Sequence, residues 1–167
     1  MLSNVRLLVA GISILVLAVG PAAAAPPTAG EVVPGASLGG IRLGATKAQV
    51  ERAWGRAYGI CTNCPRETWY FNYFAFEPEG VGVELRGGRA AALFTLHSPA
   101  GWRTKQGLEL GAGVAEVRGT YGALTRFDCD GYYALVIERA RSRTAFYILR
   151  ERLWAFGLSR PSVGVCR

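Results

Sequence analysis

Apolar and polar positions alternate along two long stretches of the chain. In residues 80 to 86, Val81, Val83 and Leu85 point one way and Gly82, Glu84 and Arg86 the other, the pattern of a strand with one wet face. Three such segments, 68–76, 80–85 and 89–96, are rich in β-branched and aromatic residues, divided by Glu77-Pro78-Glu79 and by the hairpin signal Gly87-Gly88. A second trio, 132–138, 144–150 and 153–159, is divided by Arg141-Ser142-Arg143 and Glu151-Arg152. Ahead of each trio the apolar spacing lengthens to that of a helix. Thr46 and Gln49 form a capping box, Val50 and Trp54 share one helical face, and Gly55 ends the helix. Later, Gly113 stands at the cap position, Glu116 at the third position, Val117 and Tyr121 supply the face, and Gly122 ends it. Both helices are so short that packing, not propensity, must hold them.

The two halves also match residue for residue. Leu43/Leu110, Gly44/Gly111, Ala45/Ala112, Ala48/Ala115, Val50/Val117 and Gly55/Gly122 are identical pairs, and 93–99 parallels 155–161. The pattern predicts an α+β fold: two tandem copies of a short helix followed by an antiparallel β-meander, with the helices packed on one face of the sheet. The copies span 36–99 and 103–161, with a linker over 97–107. Together they make one domain, 36–167, which suits the chain length.

Both faces of some strands are apolar. Trp69, Phe71 and Tyr73 line one side of the first strand, yet Tyr70, Phe74 and Phe76 line the other; Phe146 and Ile148 likewise lie opposite Tyr147 and Leu149. Such a strand is either covered on both sides or presents an aromatic surface flanked by arginine, as binding hot spots do. On the second reading the binding surface comprises Tyr70, Phe74, Phe76, Phe146, Ile148 and Arg86.

The N-terminal residues 1–24 read as a secretory signal peptide: Arg6, the apolar run Leu7 to Gly20, then Pro21 and small residues, with cleavage between Ala24 and Ala25. The run is shorter than the roughly 20 apolar residues a membrane span needs. Residues 25–35 are expected to form a flexible N-terminal segment. No cysteine lies near the cleavage region, so the exported chain is expected to be untethered, without a membrane span and monomeric. Lys and Arg total 19 against 12 Asp and Glu, a formal charge of +7 scattered without a dense block. That excess suits a solvated surface or attraction to an anionic polymer, membrane surface or acidic partner, while export argues against nucleic acid.

Four cysteines, Cys61, Cys64, Cys129 and Cys166, all lie in the exported part. In an oxidising compartment an even count favours disulfides, and the expected pairs are Cys61–Cys64 and Cys129–Cys166, the second tethering the C-terminal tail. Zinc would call for two close pairs, and the only histidine, His97, is distant from the cysteines, so no metal is expected. A redox role for Cys61/Cys64 would want a helix N-terminus at the first cysteine, but Pro65 and a strand follow the pair.

Catalytic signals are absent by residue type and spacing. His97 lies beside Ser98 and Pro99 at a strand end, Glu77/Glu79 and Asp128/Asp130 lie in turns, and Gly87-Gly88 joins two strands rather than a strand and a helix. No catalytic residue and no cofactor is therefore assigned.

Gly40-Ile41-Arg42-Leu43-Gly44, followed by Thr46-Lys47-Ala48-Gln49-Val50 and Trp54-Gly55, resembles the helix entry of the SmpA/OmlA family of small secreted modules, typified by the outer-membrane assembly lipoprotein BamE. Duplicated, with one disulfide per copy, the unit is similar to the β-lactamase inhibitory protein family. That likeness covers 36–161 and implies a sheet with a concave aromatic binding face. The resulting expectation is a secreted or cell-envelope macromolecule-binding module of inhibitor-like kind, its partner an extracellular or envelope protein or an anionic polymer. Two alternatives stand beside it: a structural envelope protein without a dedicated ligand, and a thiol–disulfide enzyme using Cys61/Cys64.

Overall fold

The computed structural model describes residues 29–72 and 79–167. Strands β1 (Gly30–Val33), β2 (Ser37–Leu38) and β3 (Ile41–Arg42) come first, then helix α1 (Lys47–Trp54) and strands β4 (Gly59–Ile60), β5 (Thr68–Asn72), β6 (Gly80–Arg86) and β7 (Arg89–Leu96). Next come β8 (Trp102–Thr104), α2 (Val114–Tyr121), β9 (Thr125–Asp128), β10 (Tyr133–Arg139), β11 (Ser142–Leu149) and β12 (Arg152–Ser159).

These elements correct the α+β expectation of two helix-plus-meander copies. The described residues are mainly strand, arranged as a four-stranded sheet β3-β2-β1-β8 and an eight-stranded sheet β4-β5-β6-β7-β12-β11-β10-β9. The helices are only eight residues each. α1 buries Val50 and Trp54 and α2 buries only Val117, too little to make a helical layer. The segment expected to be flexible, 25–35, and the expected linker, 97–107, supply two of the four strands of the small sheet, β1 and β8. Gly30–Val33 pairs in parallel with Trp102–Thr104, matching Gly30 to Trp102 and Val32 to Thr104. The loop between β7 and β8 is therefore part of the architecture rather than a tether.

Local signals nevertheless work as their chemistry requires. Thr46 and Gln49 satisfy each other's backbone N–H groups at 2.8 and 3.3 Å, and Gly55, at φ 83°, returns its N–H to Glu51 O at 2.8 Å. Gly113 caps α2 with no side-chain hydrogen bond.

The main core lies between the two sheets. Val32, Leu38 and Trp102 from the small sheet meet Val50, Trp54 and Val117 from the helices, over Phe71, Val83, Phe146 and Phe156 of the large sheet. Trp54 meets Phe71 edge-on at 5.4 Å, and its indole N–H donates to Gly39 O at 2.9 Å, so even the polar atom of this buried ring is satisfied. On the opposite face of the large sheet a smaller cluster, Ala134, Val136, Ala145, Tyr147, Ala155 and Val165, forms where residues 160–167 fold back across the strands. Arg160 N donates to Ala91 O at 2.9 Å, and Tyr147 Oη donates to Val165 O at 2.7 Å.

Both disulfides are closed as expected, Cys61–Cys64 and Cys129–Cys166, with no free cysteine among the described residues. The first sits in the loop between β4 and β5, away from any helix N-terminus; the second fastens the returning tail beside β9. No helix among the described residues is long and apolar enough to cross a membrane.

Candidate functional site

The back-folded tail and the 61–67 loop leave a cleft of about 430 Å³ between them on the face of the large sheet away from the helices. Its walls carry Tyr70, Phe94, Tyr132, Tyr147 and Trp154, with Arg66, Glu84, His97 and Arg167 around them. Strand alternation explains the set. Tyr70 pairs with Gly82, and Gly82 with Phe94, so the three share one face; Gly157, opposite Phe94 on β12, pairs with Ala145, while Tyr147 pairs with Ala155. Gly82 and Gly157 make room for rings. A Cβ at Gly157 would stand 2.8 Å from Tyr147 Oη, and the ring lies across that bare backbone.

A bulge supplies the fifth ring. The register of β11 against β12 shifts between Tyr147 and Ile148, pairing Tyr147 with Ala155 and Ile148 with Leu153, so Trp154 has no partner across the ladder. Bulges re-aim side chains, and the Trp154 ring stands edge-on to Tyr132 at 5.9 Å and to His97 at 6.3 Å. Its Nε1 is buried and has no hydrogen-bond partner among the described residues.

Charge is gathered around one carboxylate. Glu84 is only 6% exposed, with Arg66 Nη1 at 3.2 Å, Arg86 Nε at 3.7 Å and Arg167 Nη1 at 3.5 Å. Three guanidiniums on one carboxylate leave a positive surplus. Glu84 Oε1 and Arg86 Nε sit in ion-pair range yet make no aligned hydrogen bond, so the Coulombic contacts are met while directional bonding capacity stays open. Arg167 also lies 5.6 Å from the Phe94 ring centre, a cation–π contact at the cleft edge. Burial holds the Tyr147 phenol protonated, pushed up to about 12, so it acts as a fixed donor to Val165 rather than as a base.

Of the residues predicted to bind, Tyr70 lies in the cleft and Arg86 borders it through Glu84. Phe146 and Ile148 do not: both are fully buried in the main core. The register gives the reason. Phe146 pairs with Phe156 and Leu135, which face the helices, whereas its neighbour Tyr147 faces the cleft. Phe74 and Phe76, like the leader 1–24, lie outside the described residues. Sequence reasoning passed over Phe94, Tyr132, Tyr147, Trp154, Glu84, Arg66 and Arg167. A glycine set opposite an aromatic on the neighbouring strand, as Gly82 and Phe94 are, is the signal that points to the first of them. Nothing in the sequence marks the tail as a wall.

Chemically, the cleft offers ring faces and edges to an apolar or planar group and surplus guanidinium to an acid. His97 is exposed at the rim, and its ring meets only Trp154 among the described aromatic contacts.

No family model matches the chain, and no curated protein matches it. Among solved structures it is similar to an extracellular protein containing a SCP domain from Bacillus anthracis str. Ames, at TM-score 0.54 and 8% identity over 71% of this chain. The chain spans 44% of that protein's length. It is also similar to a DUF4309 family protein, YjgB, from Bacillus subtilis subsp. subtilis str. 168, at TM-score 0.50 and 12% identity, over 69% of this chain and 78% of that one. Neither is described as a SmpA/OmlA module or a β-lactamase inhibitory protein, and at these identities the likeness is one of fold: a mainly β chain shared with a Bacillus extracellular protein and a DUF4309 protein.

Proposed function

We propose that the protein is an extracytoplasmic binding module that takes a segment of a protein partner into the cleft on the open face of its large sheet. One observation carries the reading: the aromatic walls of the cleft stand beside a guanidinium surplus. Rings held edge to edge lose little freedom when they grip a ligand. The segment that fits presents an aromatic or branched apolar side chain with an Asp or Glu close to it: the apolar group lies against Tyr70 and Phe94, and the acid meets Arg66 and Arg167. Two closed disulfides suit an oxidising compartment, which supports export.

Selection of a displayed random-peptide library against the purified protein tests this. Enriched peptides are expected to combine an apolar anchor with a nearby acid, and to lose at least tenfold in affinity for both Tyr70→Ala and Arg66→Ala. Peptides indifferent to both variants, or none enriched at all, would leave the cleft as packing and favour a structural role without a ligand.

A further inference from the structure

A second hollow, of about 840 Å³, lies away from the aromatic cleft, where the 33–36 turn of the small sheet meets the β10–β11 turn and the start of the tail. Its lining includes Arg42, Arg141 and Arg160 and no acidic residue. Arg139 packs alongside, its Nη1 lying 2.9 Å from where a Cβ on Gly35 would stand. None of these four side chains makes a hydrogen bond or an ion pair with another described residue. Arg143, close by in sequence, differs in kind: its Nε donates to Glu138 at 2.9 Å and its Nη1 to Pro161 O at 2.9 Å. The nearby acid is thus already committed, and the four guanidiniums around the hollow remain unneutralised.

The floor is fixed before anything binds. Gly35 N donates to Thr144 Oγ1 at 2.7 Å, Ser142 Oγ donates to Gly35 O at 3.2 Å, and Val163 N closes a turn onto Arg160 O at 3.0 Å. A recess lined by one sign of charge concentrates its field and raises the local concentration of counter-ions. Guanidinium forks match phosphate oxygens two at a time, and several forks around one recess too large for a single phosphate call for a chain of them. The large exposed apolar residues among those described are Ile60 and Leu149, and neither lines the hollow, so it lacks the apolar inserts with which a surface anchors in a bilayer.

We propose that this groove docks a linear phosphate-bearing polymer, a role separate from that of the aromatic cleft. Binding of linear inorganic polyphosphate to the purified protein, followed by calorimetry over a salt series, is the test. Saturable binding is expected, with log affinity falling linearly in log salt. The triple variant Arg42→Ala/Arg141→Ala/Arg160→Ala is expected to lower affinity at least tenfold and reduce the salt slope by about 2, from roughly 0.7 counterions released per phosphate neutralised. A control triple, Arg52→Ala/Arg103→Ala/Arg118→Ala, removes equal charge from exposed positions outside the groove and should retain most of both. Equal losses in the two triples would reduce the effect to net charge and overturn the proposal, as would absence of binding at low salt. Tighter, groove-dependent retention on anionic lipid vesicles than on polyphosphate would assign the site to a membrane instead. Tyr70→Ala should leave polyphosphate binding unchanged, which keeps this result independent of the fate of the cleft.

Discussion

The ring of Phe94 on β7 lies across the bare backbone of Gly82 on β6: a Cβ at Gly82 would stand 2.5 Å from Phe94 Cε2 and Cζ. The two are register partners, so the ring takes the volume a side chain would otherwise occupy. Gly82→Ala must therefore push Phe94 into the cleft. Overpacking of this kind costs about 1–3 kcal/mol, and urea unfolding is expected to show a loss in that range. Because the displaced ring fills the space over Tyr70, the variant should also lose the peptides selected by the wild type.

Tyr70 and Phe146 separate the cleft from the core. Phe146→Ala empties a fully buried position between Tyr121, stacked at 4.7 Å, and Phe156, edge-on at 6.1 Å, and is expected to cost about 3–5 kcal/mol of stability. Tyr70 is half-buried and touches Phe94 edge-on at 6.2 Å, so Tyr70→Ala should cost far less in unfolding while weakening ligand binding. A Tyr70→Ala variant as unstable as Phe146→Ala would place that ring in the core.

Closing Cys129 to Cys166 spans a sequence separation of 37. In the chain-entropy model a loop of that size contributes about 4 kcal/mol, and Cys129→Ser/Cys166→Ser should lose most of it. The tail carries Val165, which accepts from Tyr147, and Arg167, which meets Glu84. Untethering it should therefore speed amide exchange along 160–167 before it affects β6 or β7, a sequence that hydrogen-exchange mass spectrometry resolves.

Alkaline pH should act through Tyr147. Its folded pKa is raised from the ordinary value of 10.0 to about 12, mainly by burial. Between those values the unfolded chain has released the proton and the folded chain holds it, so unfolding is favoured as pH rises. The contribution is fully present below pH 10 and is lost on the way to 12, a fall of roughly 2–3 kcal/mol for a shift of that size. Tyr58, Tyr121 and Tyr133 are raised as well, so the informative quantity is the difference between wild type and Tyr147→Phe. The variant's stability should decline less steeply over the same interval.

Some of this was legible in the sequence. The capping box at Thr46, the hairpin at Gly87-Gly88 and the cysteine pairs each rest on contacts a few residues long or on a strong compartment rule, and such signals survive folding. The small sheet was not legible, because Val32 and Thr104 meet only through a parallel pairing across half the domain, and two- to four-residue strands carry too little alternation to announce themselves. Calling the fold α+β gave weight to helices that bury one or two side chains each. The error at Phe146 has the same root: alternation says that Phe146 and Tyr147 face opposite ways, but which of them faces the helices is fixed by pairing with Phe156 and Leu135. Trp154 reaches the cleft through a bulge, and nothing in its flanking residues encodes that extra position.

The strand order carries a consequence for how the chain is made. β12 is the last strand described, yet it lies at the centre of the large sheet, between β7 and β11. A polypeptide emerging from its N-terminus therefore exposes the edge of β7 at Ala92-Leu93-Phe94, beyond Ala90, which Gly44 and Ala45 already hold, until residues 157–159 arrive to pair with it. An apolar edge of that kind recruits strands from neighbouring chains. Chains halted anywhere before residue 152 would carry it permanently, so premature termination should yield aggregates rather than a working half, and the arrival of β12 becomes the event that seals the sheet.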